Sequence, residues 1–307
     1  MKIAITGATG FVGGHLMQGL RRHGHTFVPV GRKELSRGPE HMARVIASCG
    51  AVINLAGAPI DRRWTEAYKQ EIVSSRLETT KLLVETMRQL DNPPHTFIST
   101  SAIGAFDSLG EYKESDEPNA DDFLGRLSRD WEAEARKAEE FEVRTLIFRF
   151  GLVLGHDGGM MKKLLIPFRL GLGGPVGDGQ QQMSWIHVDD LIKAYQHTLT
   201  NRRLSGIFHL CAPQPVTNRD FAKALGSALN RPAFLPVPAL ALKLAYGEGA
   251  EVMTSGQRVI SARLPESDFH FRFPDLDAAL AEIVKKSGGR CLLTNWFSSR
   301  LRSQARL

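Results

Sequence analysis

The sequence predicts an α/β protein, a doubly wound parallel sheet with a small C-terminal lobe, and three observations point to it. Short β-branched runs alternate with longer segments of helical period, a pattern that calls for parallel strands joined by right-handed crossovers. The first run, Lys2 to Thr6, leads through a glycine-rich turn, Gly7-Ala-Thr-Gly10-Phe-Val-Gly13, straight into an amphipathic segment. Two stretches break the alternation: Gly155 to Ser184, rich in glycine and carrying Pro167 and Pro175, and Arg231 to Pro274, with five prolines. Irregular insertions of that length in a compact domain are usually a binding site or a lid.

The elements follow in order. A strand at Lys2–Thr6 precedes a helix at Phe11–His23, a strand at Thr26–Val30, a short helix and a strand at Val52–Leu55. Val73, Leu77, Val84 and Met87 share one face at helical spacing, so a long helix runs from about Thr65 to Leu90, stopped by Pro93 and Pro94. Further strands are expected at Thr96–Thr100, Arg144–Phe150 and Ile207–Cys211, with helices at about Asp122–Glu140, Asp190–Thr200 and Asn218–Leu229. The sheet thus has six or seven strands. Residues 1–155 form the sheet domain, completed by about 187–229; residues 156–186 and 230–284 form the lobe over the C-terminal edge of the sheet; residues 285–307 are a basic tail.

Composition narrows the function classes. With 42% hydrophobic and 23% charged residues, the 307-residue chain is neither disordered nor fibrous. Its charge of +6 suggests nucleic acid until it is located: Lys285, Lys286, Arg290, Arg300, Arg302 and Arg306 carry it, and residues 1–284 hold 33 bases against 33 acids. A basic tail without a basic folded face, zinc spacing or aromatic RNA signature argues against a nucleic-acid partner. Cys49, Cys211 and Cys291 lack CxxC spacing, so neither disulfides nor a metal are expected. The glycine turn begins at residue 7, too early for a signal peptide, and a cytoplasmic protein is expected.

The glycine turn carries the first functional signal. Between a strand and a helix, Gly7, Gly10 and Gly13 allow a tight turn, close approach of backbone to a pyrophosphate, and close helix packing, with the helix N-terminus facing the anion. This is the dinucleotide-binding context of a Rossmann fold. At the end of the second strand, where an NAD-preferring protein places an acid, the chain reads Val30-Gly31-Arg32-Lys33. A cation there attracts a 2′-phosphate, which favours NADP(H) over NAD.

Gly7 to Gly13, Val52-Ile-Asn-Leu-Ala-Gly57 and Ser99-Thr-Ser-Ala102 resemble the extended branch of the short-chain dehydrogenase/reductase superfamily. Arg63-Trp-Thr65, Lys69-Gln-Glu-Ile72 with Ser75-Arg76, Phe168 to Pro175, Met183 to Asp190 and Asn230 to Pro238 are more specific. Together they resemble an atypical, NAD-dependent epimerase/dehydratase-like family, the short-chain family 39U, over about residues 1–284. The resemblance implies that NADP(H) is held by Gly7, Thr9, Gly10, Phe11, Val12, Gly13, Arg32, Leu55, Ala56, Gly57, Glu71 and Arg76, with Val153 near the nicotinamide.

The expected acid is missing. In that superfamily a tyrosine and a lysine four residues on share a helix face, and the lysine lowers the tyrosine pKa for proton exchange. None of the four tyrosines has such a lysine, and the corresponding positions fall near Leu127 and Trp131. Where the resembled family has Ala-Ile-Gly-Tyr-Tyr-Gly, this chain has Ala102-Ile-Gly-Ala-Phe-Asp107. Ser101 is left as the catalytic candidate, with Asp107, Tyr112 and His187 nearby; acids around Tyr112 would raise its pKa, and an acid after His187 is expected to cap the next helix. Two functions fit. One is an NADP(H)-dependent oxidoreductase or epimerase on an unidentified carbonyl or nucleotide sugar; the other is a non-catalytic NADP(H)-binding regulatory protein, as division-associated members of similar sequence suggest. In the tail, Leu292, Leu293, Trp296, Phe297 and Leu301 recur at roughly helical spacing among arginines. That pattern suits a weakly ordered terminus, or contact with a membrane surface or a partner.

Overall fold

The computed structural model describes residues 1–288. Six parallel strands form the central sheet: β1 (Lys2–Thr6), β2 (Thr26–Val30), β3 (Ala51–Asn54), β4 (Thr96–Ala102), β5 (Arg144–Phe150) and β6 (Gly206–Leu210). Their order is β6-β5-β4-β3-β1-β2, every pair parallel. The order reverses between β1 and β3. In open α/β sheets that switch point opens a crevice at the strands' carboxyl ends.

Side chains alternate across the sheet and build a core on each face. Ile3, Ile5, Ile53, Ile98 and Phe148 pack with α1 (Phe11–Arg21) and α5 (Val188–Thr200) through Leu16, Leu20 and Leu191. Ala4, Val52, Phe97 and Ile147 pack on the other face with α2 (Glu66–Arg88) and α3 (Phe123–Arg136) through Leu83, Val84, Met87 and Ala135. The expected helix at 122–140 is therefore shorter: α3 ends at Arg136 and a 3-10 turn, Lys137–Phe141, follows. The third and sixth strands each start one residue earlier than their apolar runs indicate, at Ala51 and Gly206.

A separate apolar cluster sits beside the carboxyl edge. It joins α4 (Gly159–Arg169), α6 (Asn218–Leu229) and α7 (Leu276–Gly288) through Leu165, Phe168, Phe221, Leu225, Leu280 and Ile283. Helix α6 was expected to complete the sheet domain, but its apolar face meets α7 and α4. Conversely, Leu264 and Phe269, from the segment expected in the lobe, fill the main core beside α5. Helical period shows that a face is apolar, not which neighbour it will meet. Among the described residues, no helix is long and apolar enough to cross a membrane.

Candidate functional site

The turn after β1 is dictated by steric room. Gly7 has φ +66°, and a Cβ there would lie 2.5 Å from the Leu55 carbonyl oxygen; a Cβ at Gly13 would lie 2.3 Å from the Gly7 oxygen. Only glycine permits both the conformation and the approach. Gly10 precedes α1 with no side-chain cap, and the first turn of α1 contains no acid. The free N–H groups and positive end of the helix dipole therefore face the crevice, as an anion site requires. Phe11 is covered by the segment leading into α4: a Cβ on Gly158 would lie 2.1 Å from its ring. A groove of about 490 Å³ runs between Thr9, Gly10 and His15 on one side and Asp157, Gly158 and Lys162 on the other.

A buried relay fixes the opposite wall. The Thr6 hydroxyl accepts from the Leu55 and Ala56 N–H groups, each at 3.0 Å, and donates to Asn54 Oδ1 at 2.6 Å. Asn54 Nδ2 and Trp131 Nε1 both donate to Thr80 Oγ1 at 2.8 Å. One chain of bonds thus ties β1, β3, α2 and α3 together and sets the direction of the 55–57 backbone. Thr6, Asn54 and Thr80 were not singled out from sequence; a threonine ending one strand and an asparagine ending its neighbour was the available signal.

At the β2 end the structure brings two expected residues together: Arg32 Nη2 lies 3.7 Å from Glu71 Oε1, both side chains largely in solvent. Just after β2, Arg32 opens a one-turn helix, Arg32–Leu35, whose Glu34 carboxylate accepts from the Gly31 N–H at 2.9 Å. That bond, first, and then its own helical N–H hold the Glu34 carboxyl below the usual range. Arg76 behaves differently. It donates to the Ile72 and Ala58 carbonyls at 3.0 and 3.1 Å, lies 5.4 Å from the Trp131 ring, and braces the 55–58 loop from beneath. Burial pulls its pKa to about 10, still charged at neutral pH. Val153 sits on a short strand, Leu152–Leu154, paired with Trp185–His187.

The end of β4 is closed. Ser101, Arg149 and His209 are register neighbours across β4, β5 and β6, so their side chains form one polar row facing α3. Ser101 is 2% exposed and its hydroxyl donates to Glu132 Oε1 at 2.6 Å. Arg149 grips the same carboxylate with two bonds of 2.7 Å. His209 lies next: burial lowers its pKa and keeps it neutral, Nδ1 donates to the Ile260 carbonyl at 3.0 Å, and Nε2 accepts from Arg149 at 3.4 Å. Glu114 completes the row by accepting the His209 and Ala262 N–H groups, both at 3.0 Å. Leu127 and Trp131 are each 5% exposed, so an alkyl group and an indole fill the place of a tyrosine and lysine. The serine reserved as catalytic candidate thus presents no hydroxyl to the crevice.

Two neighbouring candidates are also occupied. The Tyr112 hydroxyl donates to Asp107, and that bond raises its pKa, the direction expected from sequence and the wrong one for an acid. His187 is 1% exposed and caps α5 itself: its Nδ1 accepts from the Asp189 N–H at 3.1 Å while Nε2 donates to Glu282 at 3.1 Å. The acid expected to cap this helix instead takes another role, for Asp190 accepts the N–H groups of Arg272 and Phe273 at 2.7 and 2.9 Å. His187, Asp189 and Glu282 bring ligand-type atoms within 4.8 Å of one another, but Lys286 and Arg272 already neutralise the carboxylates.

Comparison with known proteins agrees with this frame. Residues 3–211 match the model of the NAD dependent epimerase/dehydratase family, and residues 237–283 match a domain of unknown function, DUF1731. The human epimerase family protein SDR39U1 is 39% identical over 296 residues, covering 92% of this chain and all of the relative. The Bacillus subtilis epimerase family protein YfhF is 34% identical, covering 92% of this chain and 98% of the relative. A crystal structure of human SDR39U1 with NADPH superimposes with a TM-score of 0.85 at 34% identity, covering 93% of this chain and 99% of that one. A UDP-N-acetylglucosamine 4-epimerase from Bacillus cereus, at 18% identity and TM-score 0.75 with 94% and 99% coverage, shares the fold.

Proposed function

The chain belongs to the NAD-dependent epimerase/dehydratase family, with an NAD(P)-binding Rossmann fold, and on that premise we propose that it binds NADP(H) without the superfamily's proton-transfer machinery. The uncapped N-terminus of α1 and the cradle that a Cβ at Gly7 or Gly13 would fill suit a pyrophosphate. Thr9, Gly10, Phe11 and Val12 would hold it, Arg32 the 2′-phosphate, and the 55–57 backbone with Glu71 and Arg76 the adenosine half; Val153 would border the nicotinamide. NADPH is also the ligand of the human relative's crystal structure. Bound, the cofactor supplies hydride exchange with a carbon centre; the protein must then move a proton.

The observation that carries the reading is the Ser101–Glu132–Arg149 row. Ser101 can orient a substrate oxygen only by leaving a buried, charge-assisted hydrogen bond, and no titratable side chain stands at Leu127 or Trp131. A cofactor-binding protein that reports NADP(H) to a partner fits this geometry best. The second reading, an oxidoreductase or epimerase on a carbonyl or nucleotide sugar in the cytoplasm, is favoured by the groove beside Asp157 and Lys162, which leaves room for a ligand next to the cofactor turn. NADPH fluorescence titration with single-turnover oxidation, against carbonyl compounds and nucleotide sugars, separates the two. Tight binding with no turnover supports the first. Turnover lost in Ser101→Ala at unchanged NADPH affinity supports the second; failure to bind NADPH removes both.

A further inference from the structure

Exposed apolar side chains are concentrated in the lobe. Beyond Met1 and Leu109, the large hydrophobic residues most open to solvent among the described residues fall within 166–172 and 234–244. Ile166 and Leu170 lie one helical turn apart at the end of α4, with Leu172 just beyond, at 57%, 68% and 59% exposure. Phe234 and Leu235 run alongside, because the Leu235 N–H bonds the Gly173 carbonyl at 3.2 Å and Arg231 Nε bonds the Arg169 carbonyl at 2.9 Å. The helix Ala239–Tyr246 then carries Leu240 and Leu244 on one face, 68% and 71% exposed, and buries none of its residues. Monomeric proteins seldom leave a surface of this kind uncovered.

The position at which the described chain stops names an occupant. Ser287, in the last turn of α7, accepts a 2.5 Å hydrogen bond from Arg169 Nη2, so the polypeptide leaves the lobe beside the residue preceding Leu170. Residues 289–307 follow, outside the described residues, with Leu292, Leu293, Trp296, Phe297 and Leu301 at the i, i+1, i+4, i+5, i+9 spacing of an amphipathic helix. Three intervening residues reach about 10 Å, and a helix over 292–301 would span about 15 Å. The arginines at 300, 302 and 306 suit the exposed carboxylate of Glu251, which lies five residues beyond the apolar helix, whereas Glu248 before it is already paired with Lys69. We propose that residues 289–307 dock in cis on the apolar face formed by α4, the 170–172 and 234–235 segments and the helix Ala239–Tyr246. Tethering sets an effective concentration in the millimolar range, so a modest apolar contact suffices.

Tryptophan accessibility tests this in the full chain. Trp64, Trp131 and Trp185 are 6%, 5% and 0% exposed, so an undocked Trp296 would dominate acrylamide quenching. The expected result is weak quenching of the wild type and severalfold stronger quenching in Leu240→Glu/Leu244→Glu, whose sites are too exposed to unfold the lobe; unchanged NADPH affinity verifies the fold. Hydrogen exchange of residues 239–246 is expected to quicken in Trp296→Asp/Phe297→Asp. Free quenching of Trp296 in the wild type, unaltered by the lobe substitutions, overturns the proposal. So does protection lost on dilution, which assigns the face to a second copy, or protection seen only with phosphatidylserine vesicles, which assigns the tail to a membrane.

Discussion

The turn after β1 and the end of β4 lie at the same edge of the sheet but are built on opposite principles. The turn is shaped by room: glycines where any side chain would strike backbone, a bare helix end, and a hydroxyl that positions two N–H groups. Its polar groups face outward, where a ligand can meet them. The β4 end is shaped by satisfaction, since Ser101, Glu132, Arg149, His209 and Glu114 bond one another and little is left for a substrate. On the reading proposed above, the fold keeps a cofactor surface while the adjoining polar row serves structure; fold membership by itself does not assign chemistry to a site.

The contrast is open to direct attack, beginning with the closed site. Glu132→Ala leaves Arg149 buried and unpaired, and should lower unfolding free energy by about 3–5 kcal/mol in urea titration; replacing both partners, Glu132→Leu with Arg149→Met, should restore much of it. A single-variant loss no larger than that of a surface substitution would show the row to be open. Gly7→Ala should cost about 1–3 kcal/mol through its left-handed backbone, and should also reduce NADPH affinity, because the Leu55 carbonyl must shift. If it lowers stability but leaves binding intact by calorimetry, the turn is structural only. Arg32→Glu should narrow the NADPH-over-NADH preference by about tenfold, equivalent to about 1.4 kcal/mol, without moving the melting temperature.

Ser101→Ala sharpens the comparison with a smaller effect. Losing one buried hydrogen bond should cost about 1 kcal/mol, with NADPH affinity unchanged. The smallest effect concerns pH. Burial holds His187 and His209 below the ordinary histidine value of 6.5, so the unfolded chain takes up protons first as the solution is acidified. The stability they contribute is complete above that value and declines as pH falls from 6.5 towards their folded-state pKa values. The urea midpoint should drop across that range, less so in His209→Gln; a midpoint that rises on acidification contradicts neutral buried imidazoles.

The parallel sheet, its six strands and the cofactor turn were legible because they rest on local chemistry. A strand needs an apolar run, and a glycine needs only the conformation of its own residue and the next few. Arg32 could be placed at the end of β2, but its approach to Glu71 depends on where the N-terminal half of α2 packs. The absence of a Tyr–Lys pair could be counted directly from the residues. What replaced it could not: Ser101, Glu114, Glu132, Arg149 and His209 are scattered over 109 positions from first to last, and each alone reads as an ordinary polar residue.

Their meeting depends on strand register, which lines up Ser101, Arg149 and His209, and on the packing of α3, which lowers Glu132 onto that row. A shift of one residue in either pairing would point these side chains to the other face. The same holds for His187, whose neighbours Glu282 and Phe273 arrive from the far end of the chain. The fold class, the cofactor turn and the loss of the usual acid follow from the residues alone, because local periodicity and steric room suffice for those. That Ser101 is sealed within an ion network, and that the lobe's apolar face lies beside the end of α7, emerges only on folding, because register and packing act between residues that are remote along the chain.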